Sequence, residues 1–415
     1  MAGSAPQLYA IHGLIVLYAL AYQLQTPLEP FLVERLGASA GGSSSAADQY
    51  AALQSFFSLI QLLGSLLVGC LIDRLGLRVM FFVNFVACAA SYALLARAGS
   101  ITALWVSKIP TLFMAGFLCA QTAVSALTAP GSERVSQLGR LTMAYTIGAT
   151  LGPSLGGYLG TEKAAQLAVG VSVLAGAIVL ALPRLGAPSA PHSAAPAPPL
   201  PAPALPWLSR AAAAVALTWP LLATKAVSGL VNAANGSVRT LALKNAFGFS
   251  AAQLGGVMST ISFVTALASL ALGRLTEATG GEGGAAVLCL GGAAVALASQ
   301  GALLLLSGGS DVATGRAYVA LVLAHALCAF PLSALITAAS TARVPSDAKG
   351  TLVGTEHAIF ALAHMVGPLL GVRLQAALGL GGVALCACAA FCGLLVLWAA
   401  GLTIRGGRSA KTHTP

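Results

Sequence analysis

GCLIDRLGLR, Gly69 to Arg78, stands between two long apolar stretches and carries an acid and two bases where its flanks are almost uncharged. It has a second copy. GRLTEATG, Gly273 to Gly280, repeats it 204 residues later, close to half of the 415-residue chain. Gly69 matches Gly273, Leu71 matches Leu275, Asp73 matches Glu277 and Gly76 matches Gly280. A repeat at this period decides architecture before any single segment does. The reading is a duplicated membrane unit with a short charged turn at the same place in each half.

Composition agrees. Hydrophobic residues make up 57% of the chain and mean hydropathy is +0.87. Charged residues are 8%, against about 25% in a soluble domain. A span needs about 20 apolar residues, and about twelve such segments can be marked out. The net charge of +10 comes from basic residues scattered singly in short loops. No run of them could track a phosphate backbone, so nucleic acid is excluded as a partner. The eight cysteines, Cys70, Cys88, Cys119, Cys289, Cys328, Cys386, Cys388 and Cys392, all lie in or beside apolar segments. They form no disulfide framework, and Cys386-x-Cys388 lacks zinc-site spacing. No metal and no cofactor is expected. No nucleophile–base pattern or phosphate loop is present, so the chain does not read as an enzyme.

The expected spans are 8–25, 51–72, 79–96, 101–128, 141–160 and 165–182, then 219–242, 251–272, 284–306, 317–340, 350–372 and 382–403. Between the sixth and seventh lies Pro183 to Pro206, with nine prolines in 24 residues. That density prevents a helix and predicts an extended linker. The expected fold is therefore all-α and polytopic, with twelve transmembrane helices in two six-helix bundles. The expected domains are an N-terminal bundle over 1–182, a linker over 183–210, a C-terminal bundle over 211–404 and a tail over 405–415. Of the 21 Lys/Arg, twelve fall on the side of the charged turns and seven on the other; Lys108 and Lys225 lie within spans. The asymmetry puts both termini and the linker in the cytosol. The protein is expected as a monomer integral to the plasma membrane or an internal organelle membrane, with the lipid bilayer as its surroundings.

The fifth span holds GATLGPSLGG, Gly148 to Gly157. Gly148, Gly152 and Gly156 recur every four residues and share a face, which lets two helices approach closely. Pro153 removes a backbone donor and permits a bend. The expected partner of this face is a helix of the other half. A shorter form, GPLLG, occupies Gly367 to Gly371 in the eleventh span.

Ionisable groups inside spans cost about 2.5–3.5 kcal/mol at the bilayer centre on insertion scales, so each is a functional candidate. They are Lys108, Lys225, His325, Glu356, His357, His364 and His12. Glu356 reads as the one acid well inside a span, while Glu29 reads as lying near the outer end of the first. A local capping or pairing role for Glu356 stands beside a functional one. His357 and His364 are seven residues apart and share a helical face. Asn232 and Gln121 are polar positions that could line a cavity.

The charged turn, its degenerate copy and the glycine helix together resemble the major facilitator superfamily over essentially the whole chain. The ten residues from Gly148 to Gly157 are similar to the antiporter signature of its drug:proton antiporters. YAALQSFFSLIQLLGSLLVGCLIDRLG and KGTLVGTEHAIFALAHMVGPLLG resemble organic cation transporter-like members of solute carrier family 22 and the tetracycline/multidrug exporters. The resemblance implies two bundles rocking about a central site. It makes Gly69, Asp73, Arg74, Gly76, Arg78 and Glu277 parts of a gating loop, with Asp73 near the start of the eleventh span at Gly350. It assigns Gly148, Gly152, Pro153, Gly156 and Gly157 to an antiporter helix. Three positions depart from the pattern: Lys108 stands where those antiporters carry Arg, the first span has no mid-membrane acid, and Ala278 replaces the base of the loop's second copy.

The functional expectation is a secondary active transporter exporting or exchanging a small organic solute, an organic cation or drug-like molecule, against protons. Glu356 would carry the proton with His357 or His364 assisting, and Lys108 or Lys225 would be the counter-charge. The alternative is a transporter-like membrane scaffold or sensor that binds a lipid or protein without coupled flux.

Overall fold

The computed structural model describes residues 5–38, 45–128, 132–182, 206–307, 311–341, 343–344 and 349–409. All regular structure among them is helical. The helices are α1 (Ala5–Leu24), α2 (Glu29–Ala38), α3 (Ala46–Leu75), α4 (Leu77–Ala96), α5 (Ile101–Ser107), α6 (Gly116–Leu127), α7 (Ser132–Leu159), α8 (Thr161–Ala181), α9 (Pro206–Asn245), α10 (Ala251–Ala278), α11 (Glu282–Leu306), α12 (Val312–Thr341) and α13 (Lys349–Ser409). A 3₁₀ turn, Ile109–Phe113, sits between α5 and α6.

One of the expected spans is broken: the fourth, 101–128, divides around the 3₁₀ turn. The first, 8–25, coincides with α1, and the chain breaks at residues 25–28 before continuing as α2. One helical run is double: α13 holds two helices that meet at Gly379, with φ 71° and ψ 176°. Joining α2 to α1 and the two parts of the fourth span, and dividing α13, leaves twelve long helical stretches, as the sequence predicts. Eight stretches among the described residues are long and apolar enough to cross a membrane on that test alone. Most of the proline-rich segment, residues 183–205, lies outside the described residues, as do residues 410–415. α9 begins at Pro206, ahead of the expected 219, and α13 runs on to Ser409.

Every described residue with positive φ is a glycine, and each sits at a joint between helices. Gly76 turns α3 into α4, Gly160 turns α7 into α8, Gly280 and Gly281 turn α10 into α11, and Gly379 joins the halves of α13. A left-handed backbone is open to glycine at little cost, and it reverses the chain without a loop. Gly248, with φ 65°, lies in the longer connection, residues 246–250, between α9 and α10. The four short joints fall after the second, fifth, eighth and eleventh long helices. The tight turn therefore recurs every third helix.

The chain divides into two compact units, Met1–Leu200 with Gly248–Phe263, and Pro201–Phe247 with Val264–Pro415. In the first, α1 packs on α7 and α8, and α4 packs on α8. Its core joins Ile11, Ile15, Phe81, Phe85, Tyr92 and Val124. In the second, α9 packs chiefly on α13, and α11 packs on α12 and α13. Its core is lighter, built on Ala286, Leu290, Ala293, Leu297, Ile336 and Phe391.

The glycine face of α7 meets α1, within its own unit, and not a helix of the other half. A methyl placed on Gly148 would lie 2.5 Å from the Val16 carbonyl, one on Gly152 would lie 2.6 Å from Gln23 Cβ, and one on Gly156 would overlap the Leu24 carbonyl. A small-residue face announces a close approach but carries no record of which helix makes it. The second unit repeats the device between α13 and α9. Methyls on Gly367 and Gly371 would each come within 2.5 Å of α9, at Ala233 Cβ and the Ala234 carbonyl. GPSLG at Gly152–Gly156 and GPLLG at Gly367–Gly371 thus do the same work in the two units. The other side of α7 meets the first turns of α10. A methyl on Gly157 would overlap the Ala251 carbonyl, and one on Gly255 would overlap that of Pro153. Ser154 donates from its N–H and its hydroxyl to Ser259 Oγ, at 3.0 and 2.8 Å.

Candidate functional site: a buried ion pair in each unit

In the second unit Glu356 is 2% exposed on α13. Its Oε2 accepts from Lys225 Nζ of α9 at 2.5 Å and from Thr337 Oγ1 of α12 at 2.7 Å. Its Oε1 accepts from Ser340 Oγ at 2.6 Å. Lys225 also donates to Thr337 Oγ1 at 2.7 Å. The lysine's neighbour Thr224 is held in turn, accepting from Trp398 Nε1 at 2.9 Å and donating to the Pro220 carbonyl. The cluster ties three helices of one unit at a single carboxylate. Of the two lysines expected as counter-charge, Lys225 is the one at Glu356.

His357 and His364 share the helix of Glu356 but are not bonded to it among the described residues. His357 is exposed, while His364 Nδ1 lies 3.0 Å from the Phe360 carbonyl and its ring lies tilted against that of Phe360, centroids 4.0 Å apart. Asn232 Oδ1 is buried without a partner among the described residues, and Gln121 is half-buried on α6.

The first unit holds a second buried pair that the sequence reading did not assemble. Glu29 is 7% and Lys108 is 2% exposed. Lys108 Nζ is bonded to Glu29 Oε1 and donates to Gln25 Oε1 at 3.2 Å, with the Phe57 ring 5.6 Å away. Gln54 donates to Glu29 Oε2 at 2.6 Å. Glu29 is therefore buried in the protein, and Lys108 is its partner. Both lie at helix breaks: Glu29 opens α2, and Lys108 stands between α5 and the 3₁₀ turn.

Such breaks are tolerated at membrane depth only where the freed backbone groups are met by protein or water. Side chains meet them here. Ser91 donates to the Ser107 carbonyl at 2.7 Å, Thr111 to that of Lys108 at 2.5 Å, Gln61 to that of Thr111 at 3.1 Å and Tyr18 to that of Met114 at 3.2 Å. The signals in the sequence are the prolines: Pro27 and Pro30 at the first break and Pro110 at the second.

The gating-loop residues are placed in part. Gly76 turns the backbone with φ 81°. Arg74 is exposed, and Arg78 donates to the Leu180 carbonyl at 2.6 Å, closing the end of α8. The surroundings of Gly69, Gly350 and the Asp73 side chain lie outside what the structure describes. Glu277 lies at the end of α10, beside the Gly280–Gly281 turn.

The sequence profile of the Major Facilitator Superfamily matches residues 11–368. The chain belongs to that superfamily. It is an integral multi-pass membrane chain of a transporter superfamily. It is 27% identical to solute carrier family 22 member 18 of Rattus norvegicus over 405 residues, covering 93% of this chain and 92% of that one. Among solved structures, the human organic anion transporter MFSD10 (TETRAN) superposes with a TM-score of 0.68 at 21% identity, over 95% of this chain and 99% of that one. The peptide transporter POT in complex with sulfate superposes with a TM-score of 0.76 at 17% identity, over 97% and 95%. At these identities the structural likenesses establish the shared fold.

Proposed function

We propose that this major facilitator chain exchanges a small organic solute against protons by alternating access, and that Glu356 carries the exchanged proton. The observation that carries the reading is the Lys225–Glu356 pair at 2.5 Å, with the carboxylate 2% exposed. A buried carboxylate held by a lysine can exchange that partner for a proton or for a cationic solute. It cannot hold all of them, because one charge satisfies one ion. Competition for a single carboxylate is the chemistry an exchanger needs. Protonation would free Lys225 and release α9 and α12 from α13 at this point, linking the proton to helix movement. His357 and His364, on the same helix, extend the titratable path. Asp73 and Arg74 act as the gate beside the eleventh span, with both termini cytosolic.

The test uses purified protein in vesicles with a panel of organic cations. Wild type should concentrate solute when a pH gradient is imposed. Glu356→Gln should retain solute exchange and lose its dependence on that gradient. If Glu356→Gln still concentrates solute on acidification, the proton site lies elsewhere and Glu29 is the next carboxylate to examine. If wild-type protein shows no flux with any member of the panel, the scaffold reading takes its place.

A further inference from the structure

The second unit holds an open crevice of about 520 Å³ where the last turns of α10 and the start of α11 face α12. That is the size of a small-molecule site. Its apolar lining is Leu272 of α10 with Ala334, Leu335 and Ala338 of α12. A methyl built on Gly273 would meet nothing within 4 Å, so the crevice stays open at that point.

The polar lining is one-sided. Ser269 gives its hydroxyl proton to the Thr265 carbonyl at 2.8 Å, and Thr276 gives its own to the Leu272 carbonyl at 2.8 Å. Both then offer only lone pairs to the crevice. The remaining polar residues are Glu277 and Glu282, and ionised carboxylates are acceptors only. Neither glutamate makes an ion pair among the described residues, whereas the buried acids Glu29 and Glu356 each hold a lysine. The Gly280–Gly281 turn, with φ of 74° and 122°, folds the chain back and ties Gly281 N–H to the Thr276 carbonyl at 2.8 Å. That reversal brings Glu277 of α10 and Glu282 of α11 to the same crevice.

Every polar side chain lining the crevice accepts, two of them carry negative charge, and the rest of the lining side chains are apolar. We propose that this crevice binds an amphipathic organic cation, a protonated amine on an apolar body, with Glu277 and Glu282 on the amine. A phospholipid headgroup would bring its phosphate against the same two carboxylates, so a small solute is the occupant and a membrane lipid is not. That this cation is also the transported solute rests on the exchanger reading above; its binding does not.

The experiment measures binding of 9-aminoacridine, protonated at neutral pH, to the purified full chain in detergent by fluorescence. Acridine, uncharged at that pH, is the control. A charge-assisted hydrogen bond contributes about 1.5–3 kcal/mol, so the Glu277→Gln/Glu282→Gln double variant should bind about ten-fold more weakly or worse. Gly273→Leu, placed where space is free, should fill the crevice and abolish binding while eluting as folded protein. Unchanged 9-aminoacridine binding in both variants overturns the proposal, and so does acridine binding as tightly as its charged analogue. Displacement by calcium ions alone would make the two glutamates a metal site and overturn it as well. Glu356→Gln should leave this binding intact. Binding here without flux in vesicles would remove the exchanger reading and keep the crevice, while pH-coupled flux with unaltered binding in the double variant would do the reverse.

Discussion

Lys225 Nζ lies 2.5 Å from Glu356 Oε2, and neither charge has an equivalent alternative partner among the described residues of its unit. Removing one member of a buried pair strands the other and costs about 3–5 kcal/mol, whereas replacing both by apolar side chains of similar volume is often neutral. Lys225→Met alone should therefore lower the thermal stability of the detergent-solubilised protein sharply, and Lys225→Met/Glu356→Leu should recover most of the loss. A double variant as unstable as the single one would mean that Thr337 and Ser340, not the lysine, hold the carboxylate.

Glu29 and Lys108 predict the same sign in the first unit, with a second readout. Tyr18→Phe would leave the Met114 carbonyl without its donor at the helix break, whereas Gln61→Leu would leave the Thr111 carbonyl with the Met114 N–H at 3.0 Å. Tyr18→Phe should cost about 1–3 kcal/mol as a buried unmet acceptor, and Gln61→Leu should cost less. A melting temperature within error of wild type for Tyr18→Phe would show that water already serves the break.

Overlap at the glycine contacts separates packing from open space. Gly156→Ala drives a methyl into the Leu24 carbonyl, and Gly371→Ala drives one against that of Ala234. Overpacking of this kind costs about 1–3 kcal/mol. Gly170→Ala, where a methyl would meet nothing within 4 Å, is the matched control. The folded fraction by size-exclusion chromatography should fall for the first two and hold for the third. Equal yields for all three would mean that the helices separate at little cost.

Orientation is tested on a cysteine-free background. A single cysteine at Ser43 should react with an impermeant maleimide in intact cells, and one at Ser193 should react only after permeabilisation. The opposite pattern inverts the topology.

Most of the architecture was legible because its signals are local. The charged turn at Gly69–Arg78 and its copy at Gly273–Gly280 mark the halves, and apolar runs of span length mark the helices. The pairing of Glu29 with Lys108 was not legible, since 79 residues separate them and apolar neighbours hide both helix breaks. Lys225 and Glu356 both stand out in the sequence, but they are 131 positions apart, and sequence alone could not choose between two lysines. The glycine face of α7 told of contact without naming α1. The crevice beside Glu277 had no linear signature, because its acceptor-only lining depends on where two hydroxyl protons go.

The glycine joints at Gly76, Gly160, Gly280–Gly281 and Gly379 bear on how the chain is made. Helices joined by three residues or fewer cannot pass singly from the ribosome into the bilayer and wait for a partner, because no linker separates their arrivals. Each joint delivers a hairpin whose two arms must settle together, and every third helix arrives alone. An epitope or protease site inserted at these four turns should therefore block biogenesis, where the same insertion after a lone helix would be tolerated.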